Sequence, residues 1–102
     1  MSTAGRQRDW EVAVARAWEA DHEARFLRRL GKTAAELGDS KSTQDCPDIW
    51  QLDSGDITVI GRDLTDAFAD RLPPDVRVGA DERLVVIPGD MLSAAKPDIP
   101  DA

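Results

Sequence analysis

The sequence predicts an α+β fold, with an N-terminal helical arm packed on a small three-stranded antiparallel sheet with short helices. Three observations carry this. Residues 6–37 contain no proline, are rich in Ala, Glu, Arg and Leu, and space their apolar side chains at helical intervals. Residues 49–60 switch to short β-prone runs around a single Gly. Between them lies "GDSKSTQDCP", residues 38–47, a polar linker of Gly, Ser, Asp and Pro. A chain of 102 residues is the common size of one domain. It divides into a helical arm (1–41), a small α+β domain (42–96) and a tail (97–102) whose Pro97 and Pro100 predict disorder.

Each element has its own signal. In the arm, Asp9 is a candidate cap, Trp10, Val14, Ala17 and Trp18 form one apolar stripe, and Phe26, Leu30, Ala34 and Leu37 form another. The two stripes do not align on one straight helix, so the arm either bends near Asp21 and His22 or touches different neighbours along its length. Gly31 offers a further break. Thr33 with Glu36 fits a capping box for a short helix ending at Gly38. Ile49 to Leu52 and Asp56 to Ile60 then read as a hairpin around "DSG", with Gly55 in the left-handed position. "DLTDAFADRLPP" predicts a short helix begun by Asp63 or Thr65, stopped before Pro73, and burying Leu64, Phe68 and Leu72. "ERLVVIPG" reads as the third and more buried strand, and "DMLSAAK" as a last helical turn capped by Asp90. With three Trp, two Phe and no Tyr, the large apolar surface must come mainly from Trp10, Trp18, Trp50, Phe26 and Phe68.

Charge is distributed unevenly. Residues 1–41 carry eight Lys or Arg against seven Asp or Glu, whereas residues 42–102 carry five against thirteen, a net of −8. Phosphate binding needs cations that displace counterions, so the acidic half argues against direct contact with nucleic acid or an anionic membrane. It favours a basic partner, or serves solubility alone. Asp63, Asp66 and Asp70 recur at i, i+3 and i+7, close to Asp53 and Asp56 of the hairpin turn, as a candidate acidic docking face. Arg25, Arg28, Arg29 and Lys32 recur at i, i+3, i+4 and i+7, which places four positive charges on one helix face, for a solvated surface, a nucleic-acid contact or attachment to the acidic half, in the same chain or in a second copy. Trp10, Val14 and Trp18 are the candidate surface for a homodimer. No apolar run reaches the length of a membrane span, no secretory leader is evident, and a single Cys makes no intrachain disulfide. A cytoplasmic protein is expected.

Signatures of catalysis and of cofactor binding are weak. "GKT" at residues 31–33 lacks the upstream Gly of a phosphate-binding loop, since position 26 is Phe. Cys46, Asp45, Asp48 and His22 lack the paired spacing of a zinc site, and no cofactor fingerprint is present. His22, in "EADHEA", fits a solvated face better than an acid–base site. A pocket between helix and sheet is the alternative, for a small ligand or an enzymatic reaction.

"CPDIW", "GDITVIG" and "ERLVVIP" followed by "ML" resemble the short uncharacterised proteins abundant in actinomycetes, in which a Cys-Pro-x-x-Trp start, a Gly-flanked strand and a V-x-I-P strand recur. Residues 46–95 are also distantly similar to small acidic domains of the BldB type, encoded beside helix-turn-helix regulators. That family carries a Trp in the last helical turn, where this chain has Met91 and Leu92. The resemblance implies regulatory, non-enzymatic work through self-association and contact with a DNA-binding partner.

Overall fold

A computed structural model of the chain describes residues 18–41 and 47–101. Its centre is a three-stranded antiparallel sheet of β1 (Phe26–Arg29), β2 (Asp48–Leu52) and β3 (Ile57–Ile60), with β2 in the middle. Short helices α1 (Ala34–Leu37), α2 (Thr65–Phe68) and α3 (Gly89–Ala95) complete the α+β architecture. A separate two-stranded ribbon pairs β4 (Arg62–Asp63) with β5 (Val85–Val86).

The hairpin expected around "DSG" is present. Trp50 pairs with Thr58 and Ile49 with Val59. Its turn closes through Leu52 N–H to the Asp56 carbonyl at 2.8 Å, and Gly55 sits at φ 93°, a conformation that costs a side-chain-bearing residue strain. The capping box on α1 is present too. Thr33 Oγ1 accepts from Glu36 N at 3.1 Å, Glu36 Oε1 accepts from Thr33 N at 2.8 Å, and Gly38 and Asp39 amides bond back to Ala35 and Ala34 carbonyls. Hydrogen bonds to it from the Thr33 backbone N–H and side chain hold the Glu36 carboxyl below its usual range.

Five expectations need correction. The helical reading of residues 6–37 fails over Phe26–Arg29, which is strand β1, paired with β2 through Arg29 opposite Trp50 and Phe26 opposite Leu52. Apolar residues four apart mimic a helix, but a partner strand can capture the backbone of so short a run. The third strand is therefore β1, and the "ERLVVIPG" strand is instead the exposed β5 of the ribbon. Asp90 does not cap the last helix, because α3 begins one residue earlier, at Gly89, behind Pro88. The tail is ordered at its start: Lys96–Asp98 form a helical turn, and Asp98 Oδ2 accepts from Gly31 N at 2.8 Å. β1 lies before residue 42 and β2 after it, so a single sheet spans the expected arm boundary.

The core lies between α1, α3 and one face of β2. It consists of Leu30, Ala34, Ile49, Met91 and Ala95, with Leu37 and Ile87 packed against it. Gly31 lets β1 meet α3 closely: a Cβ there would stand 2.8 Å from Ala95 N and 2.9 Å from Ala94 C. Its φ of 78° independently favours glycine.

Candidate functional site

Successive strand residues point to opposite faces, so β1 and β2 divide their side chains between a core face and an outer face. Ile49 turns inward. Asp48, Trp50, Arg29 and Phe26 gather on the other face, where the strand register sets Arg29 opposite Trp50. Arg29 grips Asp48 through two parallel bonds, Nε to Oδ1 at 2.9 Å and Nη2 to Oδ2 at 3.1 Å. The same guanidinium lies 4.6 Å from the Trp50 ring centroid, and Phe26 meets Trp50 edge-on at 5.6 Å.

Asp48 is the hub of this cluster. Burial pushes its carboxyl up, but hydrogen bonds from Arg29 and the Trp50 side chain, the Arg29 charge and the Ile49 amide outweigh that and hold it below the ordinary 3.8. The Asp48 bond in turn raises Arg29 further. A carboxylate so fully engaged is a poor proton acceptor, and its arrangement locks two strands together. What the cluster presents outward is an aromatic surface: Phe26 is 56% exposed and Trp50 half-buried.

A second constellation borders a cleft of about 280 Å³ lined by Asp39, Pro47, Gly61, Arg62, Val86, Ile87 and Pro88. Desolvation, followed by a hydrogen bond and charge repulsion from Asp90, pushes the Asp39 carboxyl up. The cleft lies between the end of the main sheet and the ribbon. The space between α1, α3 and β2 is filled by Leu30, Ile49, Met91 and Ala95.

The sequence-derived sites are dispersed. Arg28 and Arg29 are neighbours on a strand and point apart: Arg28 donates to Gln51 Oε1 at 3.0 Å and to the Asp98 carbonyl at 2.8 Å, while Arg29 serves Asp48. Arg25 precedes β1 and Lys32 follows it, so the four cations form no helix face. The acidic residues divide similarly. Asp53 accepts from Arg25 N at 3.0 Å, and Asp56 takes the Ser54 hydroxyl and the Trp18 indole N–H, all at the hairpin turn. Asp63, Asp66 and Asp70 lie beyond the opposite end of β3, on β4, α2 and the following turn of 3₁₀ helix, so no continuous helix carries them. Hydrogen bonds from Thr65 hold Asp63 below its usual range. Trp10, Val14 and Cys46 fall outside the described residues, and Trp18 is 62% exposed.

Sequence reasoning missed the Arg29–Asp48–Trp50 cluster. Alternation along "DIW" could have placed Asp48 and Trp50 on one face, but nothing local pairs them with Arg29. Among the described residues, no group of three His, Cys, Asp or Glu could hold a metal, and no helix is long and apolar enough to cross a membrane. The fold and its sites thus define a small α+β domain with an aromatic sheet face. No family model, curated protein or solved structure matches the chain.

Proposed function

We propose that this chain is a non-enzymatic protein-interaction domain that self-associates and plays a regulatory part by docking a basic or DNA-binding protein. The carrying observation is an imbalance of apolar surface. Among the described residues five hydrophobic side chains are buried, and of these only Leu30 and Met91 are large and fully enclosed. Against them stand Trp18, Phe26, Leu27, Ile57, Val59, Ile60 and other large hydrophobics exposed by 39% or more. Apolar surface in such excess over the core favours burial against another protein. The −8 charge of residues 42–102 supports a basic partner, with Asp66 and Asp70 exposed for it. The resemblance to BldB-type domains supports the regulatory role.

Sedimentation equilibrium from about 10 μM to about 1 mM tests the self-association, a range that brackets weak to moderate affinity. A rise in mean mass with concentration is expected. A monomer throughout would overturn the self-associating reading.

A further inference from the structure

We propose that the outer edge of β3 is the self-association surface, on which β3 of a second copy pairs antiparallel and joins two three-stranded sheets into one. This deepens the interaction reading above and presupposes it.

The strand is built as an open edge. β3 has β2 on one side and, among the described residues, no strand on the other. Its sequence, "ITVI", contains no charge and no Pro, two of the devices that commonly blunt an edge. Ile57, Val59 and Ile60 are 46%, 39% and 42% exposed.

Backbone phase selects the residues that pair. The Leu52 amide bonds to the Asp56 carbonyl, so Asp56, Thr58 and Ile60 turn their hydrogen-bonding groups toward β2. Ile57, Val59 and Gly61 therefore turn theirs outward. A two-fold axis perpendicular to the sheet requires residues of the same face to oppose each other. Two registers satisfy both conditions and centre on the strand, with Thr58 or Val59 on the axis; the second sets Val59 opposite Val59 of the second copy, Ile57 opposite Gly61, and Ile60 opposite Thr58. It also sets Asp56 opposite Arg62, at both ends of the interface. That opposition of unlike charges is absent when Thr58 lies on the axis, where Arg62 meets Ser54, and it selects the Val59 register.

Two variants test this: Asp56→Lys and Arg62→Asp. Each alone opposes like charges at both ends and is expected to weaken self-association roughly tenfold at low ionic strength. Mixed in equal amounts, they oppose unlike charges at both ends, and association should return. An independent pair guards against misfolding of Asp56→Lys, whose carboxylate also bonds within the turn. In a Cys46→Ser background, Val59→Cys should oxidise to a covalent dimer, because directly opposed Cα atoms stand about 5.5 Å apart, within disulfide reach. Ile57→Cys should not, since its own counterpart lies several residues away along the strand. A wild type that dimerises, with the mixture no tighter than its components or with both cysteine variants cross-linking equally, would overturn the edge pairing and leave self-association standing. A monomeric wild type would overturn both.

Discussion

Two regions of the molecule are held together by different means. Residues 26–60 with α3 enclose the buried core, in which Leu30 and Met91 are 1% exposed. Residues 61–88 contain no buried residue at all. That second region is organised by polar contacts. Thr65 Oγ1 donates to Asp63 Oδ1 at 2.7 Å and accepts from Leu84 N at 2.8 Å, Leu64 N reaches the Leu84 carbonyl at 3.0 Å, and Glu82 Oε1 accepts from Gly79 N at 2.7 Å. Water competes for exposed hydrogen bonds but not for a packed methylene, so the first region should carry the stability and the second should open locally without global unfolding.

The sharpest break in that contrast is expected at the β1–α3 contact. Gly31→Ala would drive a methyl group into α3 backbone atoms that cannot rotate aside, and should cost about 3 kcal/mol or more in urea denaturation. Met91→Ala, on the other side of the same core, should cost a comparable 2 to 5 kcal/mol, roughly the range for a truncated core side chain. If either change cost under about 1 kcal/mol, the core would not be the stabilising element.

An intermediate effect is expected at Asp48, where the first region depends on charge. Asp48→Asn weakens the paired bonds to Arg29 and should cost about 2 kcal/mol at neutral pH. The pH dependence has a defined sign. The folded state holds this carboxyl below 3.8, so its contribution is present above that value and is lost as the pH falls from 3.8 through the lower folded value. The gap between wild type and Asp48→Asn should therefore close over that acid window. Asp39 acts in the opposite sense: its folded value is raised, so ionisation destabilises, and Asp39→Asn should stabilise most above its folded value. Denaturation midpoints measured across the acid range check both signs.

The smallest effect is expected in the second region. Phe68 is half-buried under the Arg71 guanidinium, 4.6 Å from its ring centroid, with no buried neighbour in residues 61–88. Phe68→Ala should cost only about 1 kcal/mol. Hydrogen exchange should show faster amides in residues 62–86 than in β2. A penalty for Phe68→Ala equal to that of Met91→Ala would reveal a second core and erase the contrast.

Elements whose partners lie close in sequence are legible in the sequence itself. The α1 box needs only Thr33, Glu36 and Gly38, and the hairpin only a Gly at 55 between two β-prone runs. The candidate sites are not legible in that way, because each spacing argument assumes a local backbone. Arg25, Arg28, Arg29 and Lys32 lose their common face because residues 26–29 form a strand, and Asp63, Asp66 and Asp70 lose theirs because α2 is only four residues long.

The sequence by itself determined the α+β class, the capping of α1, the turn at Gly55 and the acidic second half, since hydrogen bonds across a few residues and formal charge do not depend on distant chain. Tertiary structure alone decided that β1 completes the sheet, that Arg29 finds Asp48 nineteen residues away, and that Asp98 reaches the Gly31 amide across sixty-seven. Closing loops of that length costs entropy that a single hydrogen bond does not recover. Such contacts form only together with the packing of Leu30, Ile49, Met91 and Ala95, and that collective condition is written in no short stretch of the chain.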